Sequence, residues 1–86
     1  MTSLPELYPT TFPIKVMGRN EGALLRETRP IIERHAGPLH DEQIRERLSG
    51  DGNFVSLTFT IEARSREQLD ALYRELTACA AVLMAL

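Results

Sequence analysis

The stretch Phe54 to Ala63 constrains this chain most, because ten residues alternate without a break. Val55, Leu57, Phe59, Ile61 and Ala63 fall on one side, and Phe54, Ser56, Thr58, Thr60 and Glu62 on the other. A period of two is the mark of a β-strand with one apolar face. Such a strand needs partners beside it and a cover over that face, so the rest of the chain must supply both.

The candidates are few. Phe12 to Met17 alternates as well, with Phe12, Ile14 and Val16 opposed to Pro13, Lys15 and Met17, and reads as a first strand. Residues 1–11 before it, with Pro5 and Pro9 among polar neighbours, read as a tail, which leaves 12–86 as a single domain. After Gly18, Asn20 is placed to cap a helix whose apolar residues Leu24, Leu25, Ile31 and Ile32 follow helical spacing down to Ala36. Gly37 and Pro38 end it, and Pro30 within it predicts a kink. His40 to Ser49 is mostly charged, which suits only an edge strand, and Gly50-Asp51-Gly52-Asn53 is a turn into the long strand.

Ser65 and Gln68 form a capping box for a second helix with Leu69, Leu72, Tyr73 and Leu76 on one stripe through Thr77. Val82, Met84 and Leu86 alternate at the end as a last strand with those three facing inward. The order is βαββαβ. Two right-handed crossovers in one antiparallel sheet give the α+β ferredoxin-like sandwich, strand order 4-1-3-2 with two helices on one face, and place the charged strand at an edge.

Eighty-six residues give room for one core, and 43% hydrophobic with 26% charged residues is a globular composition. A formal charge of -2 gives the whole chain no attraction to nucleic acid or anionic lipid. No stretch nears the roughly 20 apolar residues that span a bilayer, and the first residues lack a basic start and apolar run, so a cytoplasmic protein is expected. The lone Cys79 builds no disulfide framework, and no Cys/His spacing points to a metal or cofactor.

No catalytic constellation emerges. His35 reads as a cation at the end of the first helix, His40 as a solvated side chain and Cys79 as a packing residue; the scattered serines sit in no nucleophile motif. The expectation is a domain that is not an enzyme. Gly52 to Leu57 echoes the third-strand motif of RNA-recognition domains, yet Gly52 and Lys15 stand where those domains place aromatics, leaving Phe54 alone, so nucleic acid is a poor partner. Two candidate sites remain. The open face, with Lys15, Met17, Phe54, Thr58 and Leu83 beside Thr60 and Glu62, is expected to meet a protein partner or a second copy in a homodimer. Arg19, Asn20 and Gly22, at the start of the first helix, are expected to hold a small carboxylate effector on free amides.

The run Tyr8-Pro-Thr-Thr-Phe-Pro-Ile-Lys-Val-Met-Gly18, then Arg34-His35-Ala36, Leu72-Tyr73-Arg74-Glu75-Leu76 and the ending Val82-Leu83-Met84-Ala85-Leu86, resembles the YbeD-like family of small bacterial proteins nearly throughout the chain. The resemblance implies a fold like that of the regulatory ACT domains and no assigned catalytic residues. It also implies a genetic neighbourhood beside the octanoyl transferase of lipoate synthesis. Gly18-Arg19-Asn20-Glu21-Gly22-Ala23-Leu24 separately resembles the effector loop of ACT domains, with glycine allowing close approach. The function expected is therefore a regulatory or protein-interaction domain, with a small-effector binder and an RNA binder as alternatives.

Overall fold

The computed structural model describes residues 7–86. Six of the eleven residues read as a tail lie outside that range; of the others, Thr10 and Thr11 already belong to the first strand. The elements are β1 (Thr10–Arg19), α1 (Ala23–Ala36), β2 (Ile44–Leu48), β3 (Phe54–Ala63), α2 (Arg66–Ala78) and β4 (Met84–Ala85). The sheet is antiparallel throughout and ordered β2-β3-β1-β4, the expected ferredoxin-like arrangement.

The alternation of β3 is what sorts the sheet into two faces. β1 pairs with β3 over ten positions, from Thr10↔Ala63 to Arg19↔Phe54, so inward residues meet inward residues: Ile14↔Phe59 and Val16↔Leu57. These four join Leu24, Ile31 and Ile32 of α1 and Leu69, Leu72 and Leu76 of α2 in one core. β1 extends to both sides of the expected Phe12–Met17, because every residue of the long strand opposite offers it a partner.

Pro13 sits within that central strand without breaking it. The amides of Lys15 and Leu86 each bond the other's carbonyl, and Leu83 N–H bonds the Met17 carbonyl, so odd-numbered β1 residues turn their backbone groups toward β4. Pro13 therefore faces the same outer side, where β4 pairs only with Val16 and Met17. The missing donor costs no ladder bond to β3, and a proline on that edge also hinders addition of another strand.

One detail of α1 differs from expectation. Its N-cap is Gly22, at φ 82°, with no side-chain cap. Asn20 instead bonds across to the β2–β3 turn, through its N–H to the Asn53 carbonyl (2.9 Å) and its Nδ2 to the Gly52 carbonyl (2.9 Å). That turn offers two carbonyls within reach, which the sequence around Asn20 does not reveal. Pro30 lies on the exposed side and α1 continues through it as one helix. Thr28, the buried polar residue of the core, satisfies itself by donating to the Leu24 carbonyl at 2.6 Å.

The segment expected as a strand from His40 first makes a 3-10 turn, Asp41–Gln43, because a clamp holds it. Glu33 accepts from the Leu39 N–H (2.9 Å), Arg29 donates to the Leu39 carbonyl (2.7 Å) and to Asp41 (3.1 Å), and Leu39 is buried between. The Leu39 amide and the Arg29 guanidinium hold the Glu33 carboxyl below the usual carboxylate range. At α2, Ser65 caps the Gln68 N–H (3.0 Å), but the reciprocal Gln68 bond goes to Arg64 N–H (2.6 Å), one residue earlier than a capping box requires. Gln68 Nε2 also donates to the His35 carbonyl (2.9 Å), joining the end of α1 to the start of α2.

Three outcomes test this packing. Leu57→Asp places an unpaired charge in the core and should leave the chain unfolded by circular dichroism, whereas Thr58→Asp, one residue on and on the other face, should keep the fold. A Cβ on Gly18 would collide with the Ala81 carbonyl, so Gly18→Ala should lose about 1–3 kcal/mol in urea unfolding, against about 0.5 or less for Gly50→Ala, where the added carbon meets nothing. Because folding lowers the Glu33 pKa, its contribution is complete above the ordinary glutamate range and fades as pH falls below it. The Tm difference between wild type and Glu33→Gln should shrink with acidification across that range.

Candidate functional site

Both helices lie on one side of the sheet, so the opposite face is left to the outward-pointing residues of four strands. Cross-strand partners share a face, which sets those residues in rows. One row reads Arg45, Thr58, Lys15; the next reads Arg47, Ser56, Met17, Met84; the third joins Phe54 to Arg19. Ser56 and Thr58, short side chains on β3, form a low floor between β2 and β1. Beside Ser56 the surface sinks into a hollow of about 270 Å³ bordered by Lys15, Met17, Arg47 and Phe54. Phe54 is 39% exposed, and the Arg19 guanidinium sits 5.8 Å from its ring centroid, within reach of a cation–π contact.

Of the residues the sequence assigns to this surface, Lys15, Met17, Phe54 and Thr58 are brought together. Leu83 is not among them. Val16 pairs with Ala85, which packs against the core, and Met17 pairs with Met84, so the phase of the last strand is opposite to the expected one. Met84, 51% exposed, is the β4 residue on the open face, while Leu83 borders a small hollow at the end of the sandwich with Ala23, Leu24 and Ala81. Alternation alone cannot fix phase in a five-residue run of apolar side chains. What decides it is the Tyr73 hydroxyl, which donates to the Leu86 carbonyl at 2.8 Å, together with the backbone bonds to Lys15 and Met17.

Arg45 and Arg47 were legible only in part. Their charge marks β2 as an edge, but their spacing, two apart, also puts both on one face, and β3 turns that face outward.

Of the second candidate site, Asn20 and Gly22 border one hollow and Arg19 lies elsewhere. Arg19 leans over Phe54 on the open side, Asn20 is committed to the β2–β3 turn, and Gly22 begins α1 on the helix side. The hollow beside Asn20 and Gly22, about 130 Å³, is lined by Leu24, Leu25, Val55 and Leu57 with the carboxylate-bearing Glu46, which opposes a carboxylate ligand there.

His35, Arg34 and Glu75 are tied into structure. His35 bonds Glu75 at 2.8 Å and Arg34 pairs with the same carboxylate; these two partners, His35 foremost, hold the Glu75 carboxyl below its ordinary range. His35 thus joins the two helices rather than merely ending α1. Cys79 is half-buried, with its sulfur 3.7 Å from Glu27. Among the described residues no group of three or more His, Cys, Asp or Glu side chains is placed to hold a metal ion, and no helix is long and apolar enough to cross a membrane.

A family model described as "Protein of unknown function (DUF493)" matches residues 6–86. The chain belongs to the DUF493 family. It is 44% identical over 70 residues to a UPF0250 protein of Janthinobacterium, covering 81% of this chain and 77% of that one. It is 42% identical over 71 residues to one from Ralstonia nicotianae, 83% and 73% of the two chains. A UPF0250 protein of Nitrosomonas europaea is 41% identical over 69 residues, 80% and 79%. Membership bears out the resemblance to the YbeD-like small bacterial proteins read from the motifs.

If Asn20 is a tie to the turn rather than part of a ligand site, Asn20→Ala should lower stability by about 1 kcal/mol. In a domain this size that is a Tm loss of roughly 4–8 °C, measurable by thermal unfolding.

Proposed function

We propose that this DUF493 domain is a non-catalytic regulatory or protein-interaction module, working through the open face of its sheet. The observation that carries this reading is the composition of that face: Met17, Met84 and Phe54 at its centre and end, with Lys15, Arg45 and Arg47 around two small hydroxyl residues. Exposed apolar side chains mixed with charged ones over one contiguous patch are common on a surface that docks another protein. Among the described residues the Arg29–Glu33–Asp41 clamp and the His35–Glu75 bond join chain segments.

The competing readings have less support. RNA-recognition sheets stack bases on two or three aromatics, and this face has Phe54 alone, already under Arg19. A carboxylate effector at the start of α1 would meet Glu46 and lack Arg19.

A photo-crosslinking amino acid at Thr58, in the middle of the face, tests the reading against the same group at Asp70, exposed on α2. Crosslinks to a discrete protein in the native cytosol should form from position 58 and not from position 70. The family resemblance supplies a first protein to look for, the octanoyl transferase of lipoate synthesis. Crosslinks from position 70 alone, or from neither position, would contradict the reading.

A further inference from the structure

The same face carries an imbalance of charge that the chain as a whole does not. Four basic residues, Lys15, Arg19, Arg45 and Arg47, point from it, and among the described residues Glu62 is its only acid. Glu62 stands at the far end of β3, with Arg64 3.9 Å away. Lys15, Arg45 and Arg47 have no ion pair among the described residues, a condition they share with Arg26, Arg66 and Arg74 on the helices; what sets them apart is that they stand together on one face. The chain has twelve acidic residues against ten basic ones, so concentrating four cations here leaves the remainder net negative.

Their placement is ordered. Arg45 and Lys15 lie in one row on either side of Thr58, their backbones about 10 Å apart, and Arg47 is one row along, about 7 Å from Arg45. The register thus sets Arg45 and Arg47 on one side and Lys15 on the other of a trough whose middle strand carries Ser56 and Thr58, and the hollow at one end of it is lined by Lys15, Arg47, Ser56 and Phe54. Holding like charges this close opposes folding slightly, and an anionic occupant would reverse the sign of that contribution.

We infer that the open face takes an acidic peptide segment of a partner protein, laid along β3, with carboxylates to Arg45, Arg47 and Lys15 and an apolar side chain against Phe54 and Met17. This rests on the interaction reading above and names the chemistry of its partner. Charge complementarity selects this occupant over the others. A second copy docked face to face would bring two cationic troughs together, which is costly where water is excluded. A nucleic-acid strand would find the cations but only one aromatic to stack on, and beyond the few rows of the face it would run over net negative surface.

The test is a titration followed by backbone amide NMR, using a short synthetic peptide of alternating glutamate and leucine. A lysine–leucine peptide and a single-stranded oligothymidine of similar length serve as comparisons. The glutamate peptide at millimolar concentration should shift amides of Lys15, Met17, Arg45, Arg47 and Phe54 together, and raising salt from about 50 to 500 mM should weaken it severalfold. The double variant Arg45→Glu, Arg47→Glu should bind that peptide at least about tenfold more weakly and take up the lysine peptide instead, with unchanged circular dichroism. Lys15→Glu, at the opposite wall of the trough, should weaken it too.

Several results would overturn the inference: no shifts on the face, tighter binding of the oligothymidine, or concentration-dependent shifts of the same amides without any peptide. If the peptide fails while position 58 still crosslinks to a protein, the face remains an interaction surface and its acidic preference is wrong. If both fail, both readings fall.

Discussion

The ten-position pairing of β1 with β3 is the constraint on which the rest of this structure depends. Because the side-chain period of a strand is two, that one register decides at once which residues enter the core and which are turned outward. Ile14 opposite Phe59 and Val16 opposite Leu57 draw both helices to one side. Lys15 opposite Thr58 and Met17 opposite Ser56 are left on the other. A slip of one residue in either strand would exchange core and surface together, so the open face and the hydrophobic core are two consequences of the same hydrogen-bond ladder.

The devices at the borders of the sheet follow from it. Pro13 is tolerated in a central strand because its ring faces the side that β4 does not reach, and the short β4 is kept in place by Tyr73 from α2 and by paired bonds to Lys15. Gly18 must lack a side chain because the Ala81 carbonyl closes over it as the chain enters β4. At the other end, Asn20 stitches β1 to the turn that begins β3, fixing the end of the register nearest Phe54.

The sequence revealed most where burial writes a long periodic signal. β3 and the stripes Leu24-Thr28-Ile31-Ile32 and Leu69-Leu72-Leu76 are readable because each error in phase would bury a polar residue. It revealed least where a few backbone bonds decide. The phase of Val82 to Leu86, the true cap of α1 and the 3-10 turn before β2 depend on Tyr73, on the carbonyls of the Gly52 turn and on the Arg29–Glu33 clamp. Asn20 and Gly52 are far apart in the chain, and the others are brought together only once a helix end has turned back on itself. The same holds for the surface: Lys15, Met17, Phe54 and Thr58 were legible from two alternating strands, whereas Arg45 and Arg47 join them only once β2 is known to lie beside β3. In the Arg19–Asn20–Gly22 loop, Asn20 and Gly22 border one hollow while Arg19 lies against Phe54, a separation that neighbouring positions in the sequence do not reveal.

The face carrying Met17, Met84 and Phe54 is open in the described structure, with Phe54 and Met84 among its exposed apolar side chains. Broadening of the Met17 and Met84 methyl and Phe54 ring signals by a neutral, soluble paramagnetic agent measures this directly. An open, self-repelling face requires all three to broaden strongly in the free protein, to the same extent in dilute and concentrated samples. Protection of these groups in the free protein, or protection that grows with concentration, would mean that the chain itself or a second copy already covers them.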